Sequence, residues 1–79
     1  IATQTEQALD NVAAILDEAE SALDDVLKVT VFLADIDDFE EMNDTYAEYF
    51  DEDPPARSAV EVANLPKGVG IEIEAVATK

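Results

Sequence analysis

Arg57 is the only arginine in a chain of 79 residues that also carries twenty Asp and Glu and three lysines. It stands in "PPARSAVEV", directly after a Pro-Pro-Ala run that restricts the backbone, so its side chain projects from a well-fixed point. A guanidinium presents a planar fork of donors that matches a carboxylate with two parallel hydrogen bonds. Two roles are therefore open to it: a clamp for a small carboxylate ligand, or a structural salt bridge to one of the many acids. Glu72 and Glu74 alternate with isoleucines in "GIEIEAV", which puts both carboxylates on one face of a strand. One reading is that a carboxylate there holds and deprotonates a water molecule as a general base; the alternative is a solvated strand face. Asn43 follows Met42 at the edge of an amphipathic stripe, where its amide either meets a ligand or serves packing.

Other site chemistries are excluded by composition. The chain has no histidine and no cysteine, so it holds neither a Ser-His-Asp triad nor a Cys-His pair, and offers no zinc or iron ligand set. Gly68 and Gly70 do not form a phosphate-cradling loop, and the acid clusters "DIDD" and "DEDPP" lack the spacing and central glycine of a calcium loop. No metal and no cofactor are expected.

The net charge of −16 sets the partner classes. A surface for nucleic acid needs clustered Lys and Arg, and here the field repels phosphate. High charge accompanies disorder in chains of low hydrophobicity, but 48% of these residues are hydrophobic and regularly patterned. A folded protein adapted to concentrated salt fits better, its self-repulsion screened within ~3 Å at molar ionic strength. A halophilic source is the expectation. No apolar run approaches the ~18 residues of a membrane span, and the absence of cysteine suits a soluble, cytoplasmic protein. One domain of this length buries only about 60% of its unfolded surface. With disulfides and metals excluded, oligomerisation is the expected supplement.

The elements that must position these residues follow from periodicity. "TQTEQALDNVAAILDEAE" spaces Ala8, Leu9, Val12, Ile15, Leu16 and Ala19 as a helical stripe, predicting a helix over 4–20 with Thr3 and Glu6 as a capping box. Ser21 is expected to cap a short turn. "LKVTVFLA" predicts a strand over 27–34, apolar on both faces, with Val29, Val31 and Leu33 opposing Thr30, Phe32 and Ala34. "DIDDFEEMNDTYAEYF" predicts a second helix capped by Asp35 or Asp37, with Phe39, Met42, Tyr46, Tyr49 and Phe50 on its stripe, stopped by "DEDPP". Two strands close the chain, over 57–63 and 69–77, joined by "NLPKG" as a turn. In the first, Ser58, Val60 and Val62 oppose Arg57, Ala59 and Glu61; each strand is expected to give its apolar face to the helices and to share a mixed face carrying Arg57, Glu72 and Glu74. The order α-β-α-β-β leaves a three-stranded sheet whose second face, with Phe32, needs cover from another subunit or from further strands.

"QTEQALDNVAAILDEA", "DDVLKVTVFLADIDDFEEMNDTYAEYF", "PPARSAVEVANLPKG" and "IEIEAVA" together resemble the reactive intermediate deaminase family, RidA or YjgF-like proteins, over essentially the whole chain. The resemblance implies a chorismate-mutase-like α/β fold of the bacillus type, with helices on one face of a mixed sheet. It also implies a homotrimer with ligand clefts between subunits. Residues 1–79 would form a single domain, the carboxy-terminal two-thirds of the family's, since relatives carry a β-hairpin and a further strand ahead of the first helix. The implied activity is hydrolysis of 2-imino acids such as 2-iminobutanoate and 2-iminopropanoate to 2-oxo acids and ammonia. Position by position, Arg57 matches the arginine that grips the substrate carboxylate, Glu72 the glutamate that positions water, and Asn43 an asparagine at the cleft. Ala59 stands where many members have a cysteine whose backbone contacts ligand. The alternatives are a non-catalytic trimeric binder of small carboxylic acids, an inactive fragment, or an endoribonuclease, the last disfavoured by the charge.

Overall fold

The computed structural model describes residues 1–50 and 53–78. Its main elements are α1 (Ala2–Glu18), β1 (Val26–Leu33), α2 (Phe39–Tyr49), β2 (Ala56–Glu61) and β3 (Ile71–Ala77). Both helices cover one face of a mixed sheet in the order β2-β1-β3, with β2 parallel and β3 antiparallel to the central β1. The expected α-β-α-β-β order holds. The last two strands are not a hairpin, however: β1 lies between them, and the "NLPKG" segment crosses the end of β1 through a single turn at Pro66–Gly68. Lys67 and Gly68 both take left-handed conformations there, at φ 61° and 67°.

Helix α1 begins earlier than its stripe suggests. Thr3 lies inside it and caps nothing, while the buried Thr5 hydroxyl donates to the Ile1 carbonyl at 2.8 Å. Its end comes two residues sooner than expected, because Glu20 turns left-handed at φ 62°. The Glu20 amide then donates to the Asp17 carbonyl at 3.0 Å and the Ser21 amide to the Leu16 carbonyl at 2.7 Å, the paired bonds of a Schellman stop. Ser21 does not cap the following turn. Its hydroxyl donates to the Thr78 carbonyl at 2.6 Å and so ties the end of β3 to the end of α1.

A bulge explains where β1 starts. Val26 pairs with Ala77 and Lys28 with Val76, so Leu27 is an extra residue that reverses the alternation. Val26 and Val29 both face the helices, and Leu27 is left exposed. Beyond the bulge the expected faces hold. Val29, Val31 and Leu33 are fully buried beneath Leu9 of α1 and Met42 of α2. Each core residue of this kind removes some 1.5–3 kcal/mol worth of apolar surface from water. The Asp35 side chain accepts the Asp37 amide at 2.9 Å and starts the short turn leading into α2. Met42, Tyr46 and Phe50 are buried along α2, and Phe39 and Tyr49 flank them half-buried. Asp51 and Glu52 of the expected "DEDPP" stop lie outside the described residues.

The far face of the sheet is open in the single chain. Phe32 is half-buried there, paired with exposed Val60 on one side and exposed Glu72 on the other. Among the described residues no helix is long and apolar enough to cross a membrane.

Candidate functional site

Register, rather than alternation within each strand, decides which candidate residues meet. Arg57 pairs with Val29, Ala59 with Val31 and Glu61 with Leu33, and those three β1 residues point at the helices. Arg57, Ala59 and Glu61 therefore lie on the covered face, and Ser58 and Val60 on the open one. This reverses the expectation for β2. The physical reason lies in α2, which presents Phe39 and Tyr46 above β2 and so accepts a long flat side chain in place of an aliphatic one. The Arg57 guanidinium carbon sits 4.8 Å from the Tyr46 ring centroid and 5.2 Å from that of Phe39. A weakly hydrated, delocalised cation is stabilised by such ring faces, and its stem fills space that an apolar residue would occupy.

Asn43 completes the arrangement. It lies between the two aromatics on the α2 stripe, four residues after Phe39 and three before Tyr46, and its Oδ1 accepts a hydrogen bond from Arg57 Nη1. Asn43 thus holds the arginine from one side and leaves its Nε–Nη2 edge without a partner among the described residues. The salt-bridge alternative finds no support: no described carboxylate pairs with Arg57. Ala59 is half-buried two residues along the same face, packed against the core.

Arg57, Asn43 and Tyr46 line an open cleft of about 340 Å³, whose remaining wall is Ala47, Phe50, Pro54 and Pro55. One end is cationic and the rest largely apolar, the complement of a small acid with a short carbon chain. A neighbouring cleft of about 270 Å³ shares Phe50 and Pro55 but is lined by Asp24 and Asp53 and has no cation, so it repels the same ligand. Burial raises the Tyr46 phenol above its usual range, partly opposed by Arg57. That hydroxyl is buried without a hydrogen-bond partner among the described residues.

Glu72 does not join this cluster. It pairs with Phe32 on the open face, exposed, with Glu74 beside Thr30 in the next row. Arg57 and Glu72, expected to share a mixed face, lie on opposite sides of one sheet. The chain itself brings together Arg57 and Asn43, keeps Ala59 on the same side of the sheet but outside the cleft lining, and leaves Glu72 apart. Tyr46 and Phe39 were legible only as helix stripe. The signal for their second role was Asn43 set between two aromatics on the stripe that covers the strand of a lone arginine.

The two-helix layer on a three-stranded mixed sheet superposes on the α/β fold of YjgF/RidA-type proteins. The chain belongs to the family described as endoribonuclease L-PSP, whose model matches residues 1–79. A RutC family protein of Pyrococcus horikoshii is 60% identical over 79 residues, covering all of this chain and 63% of that protein. The 2-iminobutanoate/2-iminopropanoate deaminase of Escherichia coli is 50% identical over 82 residues, again covering all of this chain and 64% of the relative. Among solved structures, E. coli TdcF with bound serine superposes with a TM-score of 0.95 at 42% identity, covering 99% of this chain and 64% of that one. The chain thus spans less than two-thirds of the length of these relatives. The names also disagree on activity, the family's pointing to RNA and that of the E. coli deaminase to imines.

Proposed function

We propose that this chain supplies the carboxylate-gripping part of a deaminase for short 2-imino acids. The observation that carries it is a half-buried arginine held by Asn43 and by two aromatic faces at the mouth of a cleft, with no described acid to neutralise it. A carboxylate on the Nε–Nη2 edge forms two charge-assisted bonds and places its 2-carbon over the apolar wall. Water adds to the imine carbon while a carboxylate takes its proton and passes it to the nitrogen, giving a carbinolamine; the carbinolamine hydroxyl then gives up its proton, the amine takes one, the C–N bond breaks as the C=O forms, and ammonia leaves the 2-oxo acid. Glu72 is the carboxylate for that step in this scheme. Because it lies across the sheet from Arg57, it reaches the bound imine from a second copy of the chain, in keeping with a homotrimer whose clefts lie between subunits. The E. coli relative named for 2-iminobutanoate and the neighbour with bound serine, itself a small amino acid, support this ligand class.

The test is ammonia and 2-oxobutanoate release from freshly generated 2-iminobutanoate. Wild-type protein is expected to accelerate it and Arg57→Ala to lose the acceleration; equal rates would sink the scheme. A non-catalytic binder of small carboxylic acids is the second reading, favoured by the separation of Glu72 from Arg57. It predicts 2-oxobutanoate binding by calorimetry with no imine hydrolysis. Ribonuclease activity is not favoured, because a net charge of −16 repels a phosphodiester chain.

A further inference from the structure

Asn43 fixes one nitrogen of Arg57 but not the plane of its guanidinium, which still rotates about that bond. Two rings stand close enough to restrict that rotation, each with the guanidinium carbon over it. Tyr46 is the nearer, at 4.8 Å against 5.2 Å for Phe39, and it is 5% exposed whereas Phe39 is half-buried. Attraction between a cation and a ring grows as water is removed, so the buried ring is the stronger support. The Tyr46 hydroxyl makes no hydrogen bond among the described residues, so no hydrogen bond from the phenol holds the arginine. A helix stripe that needed only apolar filling here has no use for a quadrupole against a cation.

We propose that Tyr46 is the positioning residue of the Arg57 clamp: its ring face sets the guanidinium plane, so that the edge unused by Asn43 already points into the cleft when a carboxylate arrives. The role belongs to the ring electrons rather than to the hydroxyl. Pre-setting the plane removes the rotational freedom that a carboxylate would otherwise have to freeze on binding. The proposal rests on Arg57 acting as a carboxylate clamp, and the experiment separates the two.

Isothermal calorimetry with 2-oxobutanoate is run on the full chain as wild type, Arg57→Ala, Tyr46→Phe and Tyr46→Leu. A further series replaces Tyr46 with phenylalanine carrying one, two or three ring fluorines, which drain the ring quadrupole while nearly keeping its shape. With Tyr46→Phe as the zero-fluorine reference, Tyr46→Leu is expected to bind about tenfold more weakly, and the fluorinated series progressively more weakly with each fluorine. A purely structural tyrosine would not follow the fluorine count. If Arg57→Ala abolishes binding but the fluorinated series stays flat, Tyr46 is not the positioning residue and the clamp stands. If wild type does not bind, or Arg57→Ala binds equally well, the clamp itself falls and the role of Tyr46 with it.

Discussion

A lysine at position 57 would carry the same charge as Arg57, but as a compact ammonium on a flexible stem. It would not bond Asn43, sit over the Tyr46 and Phe39 rings as a delocalised cation, and offer two parallel donors to a carboxylate at the same time. Arg57→Lys is therefore expected to weaken 2-oxobutanoate binding by about ten- to a hundredfold, the worth of one or two charge-assisted bonds. Calorimetry checks this, and unchanged affinity would mean that charge alone is recognised. Arg57 and Asn43 were legible in the sequence as candidates, one as a lone cation after two prolines and the other as an amide beside an apolar stripe. The separation of Glu72 was not legible. Alternation sorts the residues of one strand into two sets, but only the register with β1 says which set of β2 shares a side with which set of β3.

Between the elements, one of the polar contacts that join α1 and α2 carries a pH signature. The Tyr49 hydroxyl donates to Asp10 Oδ1 at 2.8 Å, and this bond, with smaller contributions from desolvation and neighbouring acids, pushes the phenol up to about 12. A raised folded-state pKa means that the neutral phenol is favoured by folding. The associated stability is complete below the ordinary value of 10.0 and is lost as pH rises through about 12. Tyr49→Phe is expected to be less stable than wild type at neutral pH, with the gap closing across that window. Urea unfolding at stepped pH measures it, and a gap constant to the top of the window would contradict it. Helix and strand identities were legible because their periods are strong. Their ends were not: Glu20 adopts a left-handed stop that usually calls for glycine, and the bulge at Leu27 shifts a strand whose two apolar faces looked equivalent.

Across the whole molecule, sixteen excess negative charges repel one another on a domain with a small core. Screening by salt is expected to raise the thermal midpoint between about 50 mM and about 2 M KCl, because the Debye length contracts to a few ångströms. A circular-dichroism melt that is no lower in dilute salt would count against the halophilic expectation. The same scale holds the central claim, that carboxylate grip and water activation come from different copies of the chain because Arg57 and Glu72 lie on opposite faces of one sheet. The most direct test mixes Arg57→Ala and Glu72→Gln proteins under conditions that exchange subunits, and then follows ammonia release from 2-iminobutanoate. Each variant alone is expected to be inactive, and the mixture to recover part of the wild-type rate at clefts that pair an intact Arg57 with an intact Glu72. A mixture as inactive as its parents, with subunit exchange demonstrated, would contradict it.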